Sequence, residues 1–290
     1  MNYDHAFHAG NPGDVLKHAL LVGVIEELQR KEGPLAYVDT HAGAGLFGLA
    51  DPTGEWTQGI GRLTSRSVRR RLPELRRYLD LVVPEDGAIE RYPGSPLIAQ
   101  VLLGPRDSLH LFELNPRDHA ALAENLDAAE DRRVHLEARD GYEGLLRVRR
   151  PETDRLVALV DPPFEALDEW DRLEDAVARF VDKRPGAAVL VWYPTKDAAP
   201  HAGRPEQLVA RLSAREGRGL AIELKPRGGL LRPRRDLPKP RGALTGTGLL
   251  AINCPPRALA RFSAALPELA RALARPEERS AFEVVLRGWG

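Results

Sequence analysis

From residue 108 onward the chain alternates between short apolar runs and longer segments with helical spacing, and this rhythm restricts the fold more than any other feature. Runs of strand length fall at 108–113, 133–137, 155–160, 187–193, 219–225 and 247–253, with an earlier one at 35–39. Helical patterns fill 14–30, 117–127, 141–149, 168–183, 204–215 and 257–274. Strands that alternate with helices imply crossover connections and a mainly parallel sheet covered on both faces. The predicted class is therefore α/β, a mostly parallel sheet with helices on both sides. Ligands on such sheets bind beyond the carboxyl ends of the strands. Those ends are where chemistry is to be sought.

The first helix, 14–30, is expected to be capped by Asp14 and to end at Gly33-Pro34, with Val15, Leu16, Ala19, Leu20, Val24 and Leu28 as its apolar stripe. After residue 46 the alternation breaks. Residues 46–107 hold an arginine-rich helical pattern at 62–80 and the turn Tyr92-Pro93-Gly94-Ser95-Pro96. The predicted organisation is one domain made of 1–45 and 108–290, with 46–107 as an inserted, mainly helical subdomain.

Composition sets limits. The 290 residues carry 42 basic and 42 acidic side chains, so the total charge does not point to nucleic acid. Local clusters are the only electrostatic argument for it. Arg62, Arg66, Arg69, Arg70, Arg71, Arg76 and Arg77 form one. Lys225, Arg227, Arg232, Arg234, Arg235, Lys239 and Arg241 form another within 225–242, against the single acid Asp236. Cys254 is the only cysteine, which excludes an internal disulfide and a thiolate metal site and suits a reducing cytoplasm. His5, His8, His18 and His41 lack carboxylates at a recognisable ligand spacing, and no metal is expected. The opening Met1-Asn2-Tyr3-Asp4-His5 is polar, unlike a signal peptide, and no apolar run approaches the ~20 residues of a membrane span. A cytoplasmic location and a monomeric state are expected.

The strand ends carry the signal. The first ends in Asp39-Thr40-His41-Ala42-Gly43-Ala44-Gly45, where glycines let the backbone approach a nucleoside. Residues 43–48 also spell the dinucleotide fingerprint G-x-G-x-x-G, but the ribose-binding acid expected ~20 residues later is missing. The next strand-end acid, Glu113, is about seventy residues beyond Gly43 and can accept from ribose hydroxyls. The third strand leads into Asp140-Gly141, an acceptor for an adenine amine or an ordinary turn. The fourth, 156–160, is wholly apolar and runs straight into Asp161-Pro162-Pro163-Phe164. Two prolines stiffen the loop and remove two donors. An aromatic amine is a poor nucleophile because its lone pair is delocalised. The Asp161 carboxylate and the Pro162 carbonyl, each accepting one N–H, would pull that nitrogen toward tetrahedral geometry, and Phe164 could stack on a base held outside its helix.

This set of motifs resembles the RlmJ family, whose members methylate an adenine N6 in bacterial 23S ribosomal RNA. The likeness is carried by Tyr3, by 5–11 (His-Ala-Phe-His-Ala-Gly-Asn), by Asp14-Val15-Leu16-Lys17-His18, and by the 39–45, 92–96 and 161–164 motifs. It extends to Asn253-Cys254-Pro255-Pro256. The resemblance implies a class I, Rossmann-like methyltransferase fold, S-adenosyl-L-methionine as cofactor and 23S ribosomal RNA as partner. It implies that His18, His41, Ser95, Glu113, Asp140 and Gly141 line the cofactor pocket, together with Gly43 and Asp161. Lys17 is a candidate for the cofactor carboxylate. Asp161 would be the catalytic acceptor, assisted by Pro162 and Phe164, with Tyr3 beside the target adenosine. Two departures stand out: Phe164 where the family often has tyrosine, and the length and basicity of 225–242. The alternatives are an adenine-N6 methyltransferase of another RNA or of DNA, a nicotinamide-dependent dehydrogenase using Gly43-Ala44-Gly45-Leu46-Phe47-Gly48, and a non-enzymatic RNA-binding module.

Overall fold

The structure, a computed structural model, describes residues 5–148, 155–195, 201–214, 218–226, 246–274 and 282–290. Eight of the strands form one sheet. Its centre is β1 (Ala36–Asp39), flanked on one side by β4 (Ser108–Phe112) and β5 (Val134–Glu137). On the other side lie β6 (Leu156–Val160), β7 (Ala188–Pro194), β9 (Thr247–Ile252), β8 (Gly219–Pro226) and the edge strand β10 (Phe282–Trp289). The pairs linking β5, β4, β1, β6 and β7 are parallel, while β9 runs antiparallel to both β7 and β8 and β10 runs antiparallel to β8. The chain leaves β1 toward β4 and β5, then crosses back to β6. The order reverses between β1 and β6, and a crevice opens there at the strand ends.

Alternation along each strand sorts side chains into two apolar layers. Tyr37, Leu109, Leu111, Val157, Leu159 and Leu190 face the side covered by α2 (Pro12–Gln29), α5 (Ser95–Leu102) and α10 (Pro256–Leu273). Ala36, Val38, Ala158, Val160, Val189 and Val191 face α7 (Gly141–Arg147), α8 (Glu169–Lys183) and α9 (Arg204–Ser213). Helix α6 (Pro116–Asn125) joins β4 to β5. Because α2 packs against α5, α10 and the sheet, it is buried nearly all round, polar Lys17 and His18 included.

The elements expected from the sequence are present within a few residues, with corrections. Helix α2 starts at Pro12, and its cap is Asn11, whose side chain accepts from Asp14 N at 2.9 Å; Asp14 reaches back to Gly10 N at 2.8 Å. A proline at the first helical position and a reciprocal pair of side-chain bonds favour the earlier start over a cap at Asp14. The helical pattern at 62–80 divides into a 3-10 turn at Ile60–Leu63, α3 (Arg66–Arg71), a second turn at Pro73–Leu75 and α4 (Arg76–Val82), because Pro73 cannot continue α3. The stretch 46–107 also holds the short ribbon of β2 (Leu46–Gly48) and β3 (Arg91–Pro93). Its last part, α5, is the crossover helix between β1 and β4, so it belongs to the sheet layers. Leu49, Ile60, Leu63, Leu72 and Leu79 share one apolar cluster with Leu16 and Leu20 of α2, so the insertion has no core separate from the main one. Among the described residues no helix is long and apolar enough to cross a membrane.

Candidate active site

A cavity of about 740 Å³ opens at the carboxyl ends of the strands. Four loops and two helix starts build it. Thr40, His41, Ala42 and Gly43 follow β1; Glu113, Leu114, Asn115 and Pro116 follow β4; Asp140 caps α7 and Gly141 opens it; Asp161, Pro162 and Pro163 follow β6. The start of α2 contributes Asn11, Asp14, Lys17 and His18, and the first turn of α8 contributes Glu169 and Arg172. Ser95, at the start of α5, also lines it.

The deepest electrostatic feature is a lysine between two carboxylates. Lys17 Nζ lies 2.8 Å from Asp14 Oδ1 and pairs with Asp161 Oδ2. Burial alone would lower the Lys17 ammonium, but Asp14 and Asp161 outweigh it and hold its pKa above the ordinary lysine value. This fixed cation braces the Asp161 carboxylate at the end of β6. Beside it, His18 Nδ1 is 2.8 Å from the Tyr92 hydroxyl, which is 3.1 Å from that of Tyr78. Burial, and then the charge of Lys17, push the His18 pKa down to about 3, so its ring is neutral. Its Nε2 is buried with no hydrogen-bond partner among the described residues.

The Glu113 side of the cavity is set by backbone geometry. Gly43 has φ of 61°, a conformation that L side chains rarely adopt, and its N–H donates to Glu113 Oε2 at 2.8 Å. Asn115 N–H donates to Glu113 Oε1 at 2.7 Å, so the carboxylate is held from two sides. Gly141 packs so tightly that a Cβ there would stand 1.8 Å from the Thr40 carbonyl. Under the floor, Asp39 is fully buried and accepts from the Tyr37 hydroxyl at 2.5 Å and the Ser95 hydroxyl at 2.7 Å.

The family described as ribosomal RNA large subunit methyltransferase D, RlmJ, matches residues 32–285. The chain belongs to the RlmJ family. Ribosomal RNA large subunit methyltransferase J of Escherichia coli is 38 % identical over 201 residues, covering 67 % of this chain and 70 % of that protein. The protein of the same description from Haemophilus influenzae is 35 % identical over 202 residues, with 67 % and 70 % covered. A crystal structure of a Legionella pneumophila protein is 26 % identical and superposes with a TM-score of 0.81 over 97 % of this chain and 98 % of that one. The architecture is the class I methyltransferase fold expected for RlmJ-family chains.

The nine residues expected around the cofactor, Lys17, His18, His41, Gly43, Ser95, Glu113, Asp140, Gly141 and Asp161, all line this one cavity, as does Pro162. Several do so in ways the sequence did not suggest. Lys17 is committed to Asp14 and Asp161 rather than free for a ligand carboxylate. Asp140 caps α7, accepting from Tyr142 N at 3.1 Å and Glu143 N at 3.2 Å, and pairs with Arg172. It thus plays the turn-and-cap part that the Asp-Gly sequence also allowed, while still lining the cavity. Phe164 is also corrected. Its ring does not line the cavity; it packs on Trp170 at 4.9 Å and on Trp192 and His201 at 5.9 Å, from a backbone with φ of 51°. The physical reason is the apolar cluster of α8 and β7 beneath the loop, against which the ring packs. Tyr3 and most of 225–242 lie outside the described residues.

Cavity residues not singled out for the site from the sequence are Asn11, Asp14, Arg172 and Trp192. Trp192 was hidden in an apolar run, and Arg172 in an ordinary amphipathic helix. Only the fold places them at the cavity.

Proposed function

We propose that this chain transfers the methyl group of S-adenosyl-L-methionine to the exocyclic N6 of an adenine in 23S ribosomal RNA. The observation that carries the reading is the Lys17-braced Asp161 at the mouth of a nucleoside-sized cavity, followed by two prolines. Family membership supports it, since the Escherichia coli and Haemophilus influenzae relatives are named as ribosomal RNA methyltransferases. The spacing objection to a nucleotide site disappears in the structure. The insertion occupies the gap, and Glu113 comes back to within 2.8 Å of Gly43 N. Family membership and the Asp-Pro-Pro-Phe loop then favour the methyl donor over a nicotinamide.

The cavity fits the cofactor. Glu113 has acceptor capacity left for ribose hydroxyls. The orphaned His18 Nε2 offers one hydrogen bond to the amino-acid end. Gly141, packed on the Thr40 carbonyl, brings the start of α7 against the wall proposed for the adenine end. When bound, the cofactor supplies an electrophilic methyl on a sulfonium sulfur.

The chain supplies orientation. Asp161 and the Pro162 carbonyl accept the two N–H bonds of the target amine. Pro162 and Pro163 hold that carbonyl in a stiff loop. This aims the nitrogen lone pair into the cavity. As the new C–N bond forms, positive charge grows on the nitrogen and Asp161 stabilises it. The amine proton, now acidic, has the same carboxylate as its nearest acceptor. Lys17 holds that carboxylate in place throughout. Trp192 provides the aromatic surface that Phe164 does not.

The test is methyl transfer from labelled S-adenosylmethionine by the purified protein into unmethylated 23S ribosomal RNA, with 16S ribosomal RNA alongside. Label in the 23S molecule is expected. Label in neither RNA, or equal label in both, would reject the assignment.

A further inference from the structure

An adenine stacked in an RNA helix cannot present its N6 to Asp161. The amine lies on the major-groove edge, and the major groove of A-form RNA is too deep and narrow for side chains to enter. The base must leave the stack, and the gap it leaves must be managed.

Large apolar side chains are rare on this surface: among the described residues Val101, Leu114, Leu167 and Leu286 stand exposed. Two of them belong to loops that build the cavity. Leu114 follows Glu113 and is 61 % exposed. Leu167, at 89 %, is the most exposed of the four. It sits in the loop between Asp161 and α8, whose Pro162, Pro163, Glu165 and Ala166 line the cavity. The loop is anchored from below. Phe164 is folded inward at φ of 51° onto Trp170, and Trp170 Nε1 donates to His201 Nδ1 at 3.0 Å. With that ring pinned and two prolines stiffening the approach, the tip is held outward. Scattered surface leucines need no explanation, but this one is carried on the target-binding loop itself. Glu165 and Asp168 bracket it and repel phosphates, so the surface of RNA that suits the tip is the uncharged face of a base.

Resting on the adenine-N6 reading above, we propose that Leu167 is a wedge that enters the RNA stack at the position vacated by the extruded target adenine. Leu114 stands exposed on the loop after β4. Leu167 takes no part in cofactor binding, and its exposure makes replacement harmless to the fold.

The experiment uses the full chain and the 23S ribosomal RNA hairpin that carries the adenine mapped as methylated. A second hairpin has an abasic site opposite that adenine, so that extrusion costs little. Leu167→Ala should lower kcat/KM on the paired hairpin by about tenfold or more, the size of one stacking interaction with a base. On the abasic hairpin it should stay within about threefold of wild type. Leu167→Phe, which keeps an apolar wedge, should restore the paired substrate, and calorimetric affinity for S-adenosylhomocysteine should be the same in all three proteins. An unchanged kcat/KM on the paired hairpin, or an equal loss on both hairpins, overturns the wedge while leaving the methyltransferase reading intact. Failure of the wild type to methylate either hairpin overturns that reading, and the wedge with it.

Discussion

Asp161 acts through the company it keeps. Lys17 pairs with one of its oxygens, and Asp14 shares the same ammonium. Replacing Asp161 with asparagine keeps the shape and removes the charge that, in the proposed reaction, stabilises the developing ammonium. Single-turnover transfer should fall by about 100-fold or more, with S-adenosylhomocysteine affinity little changed by calorimetry. A second residue-scale test concerns Asp39, beneath the cavity. Burial pushes its pKa up to about 6, against the hydroxyl bonds from Tyr37 and Ser95, which lower it. Unfolded aspartate ionises near 3.9. Between those values the native state holds a proton that the unfolded chain has released, so stability falls as pH rises through the window. The loss is roughly 3 kcal/mol for about two pKa units. Over an overlapping range His18, depressed to about 3, works in the opposite sense: its stabilisation is present above about 6.5 and is lost as pH falls. Comparing Asp39→Asn with wild type isolates Asp39. Urea midpoints at pH 4 and pH 7 should show the aspartate-specific loss in wild type and not in the variant. Identical pH profiles would count against it.

At the scale of elements, α7 is the joint most exposed to a single change. A Cβ on Gly141 would collide with the Thr40 carbonyl, which is backbone and cannot step aside. Gly141→Ala should cost roughly 1–3 kcal/mol by thermal or urea unfolding. It should also weaken cofactor binding, because Asp140 and Gly141 both line the cavity and shift with the helix. An alanine variant with wild-type stability would mean that α7 is not packed as described. This scale also shows what a sequence can and cannot reveal. Strands β1, β6, β7 and β9 are short apolar runs bounded by turn residues, and β4, β5 and β8 keep enough apolar residues between turns to be read as well. Edge strand β10 is buried only in part and gives no such run. Helix α5 was absorbed into the insertion because its start looks like a turn, Tyr92-Pro93-Gly94-Ser95-Pro96, and only its place between β1 and β4 reveals it as a crossover. Motif residues were legible because strand ends converge in this fold. The roles of Lys17, Asp140 and Phe164 were not, since their partners stand 144, 32 and 6 positions away in the chain.

Over the whole molecule, a net charge of zero must be reconciled with an anionic substrate. Local pairing decides how. Arg69 and Arg76 pair with Asp80, and Arg71 pairs with Glu268, which leaves Arg66, Arg70 and Arg77 exposed without a partner among the described residues. If these three meet phosphate, replacing all of them with alanine should weaken RNA binding. The logarithmic salt slope should flatten by about 0.7–0.9 for each phosphate that is no longer neutralised, with cofactor affinity unchanged. An unaltered slope would make the insertion solvated surface and move the RNA track to another face.

The central claim is the identity of the methylated atom. It is tested most directly by treating unmethylated 23S ribosomal RNA with the purified chain and S-adenosylmethionine, then digesting it to nucleosides for mass spectrometry. Wild type should yield N6-methyladenosine at one site and Asp161→Ala none. A different methylated nucleoside from the wild type, or N6-methyladenosine at the wild-type rate from Asp161→Ala, would contradict the account.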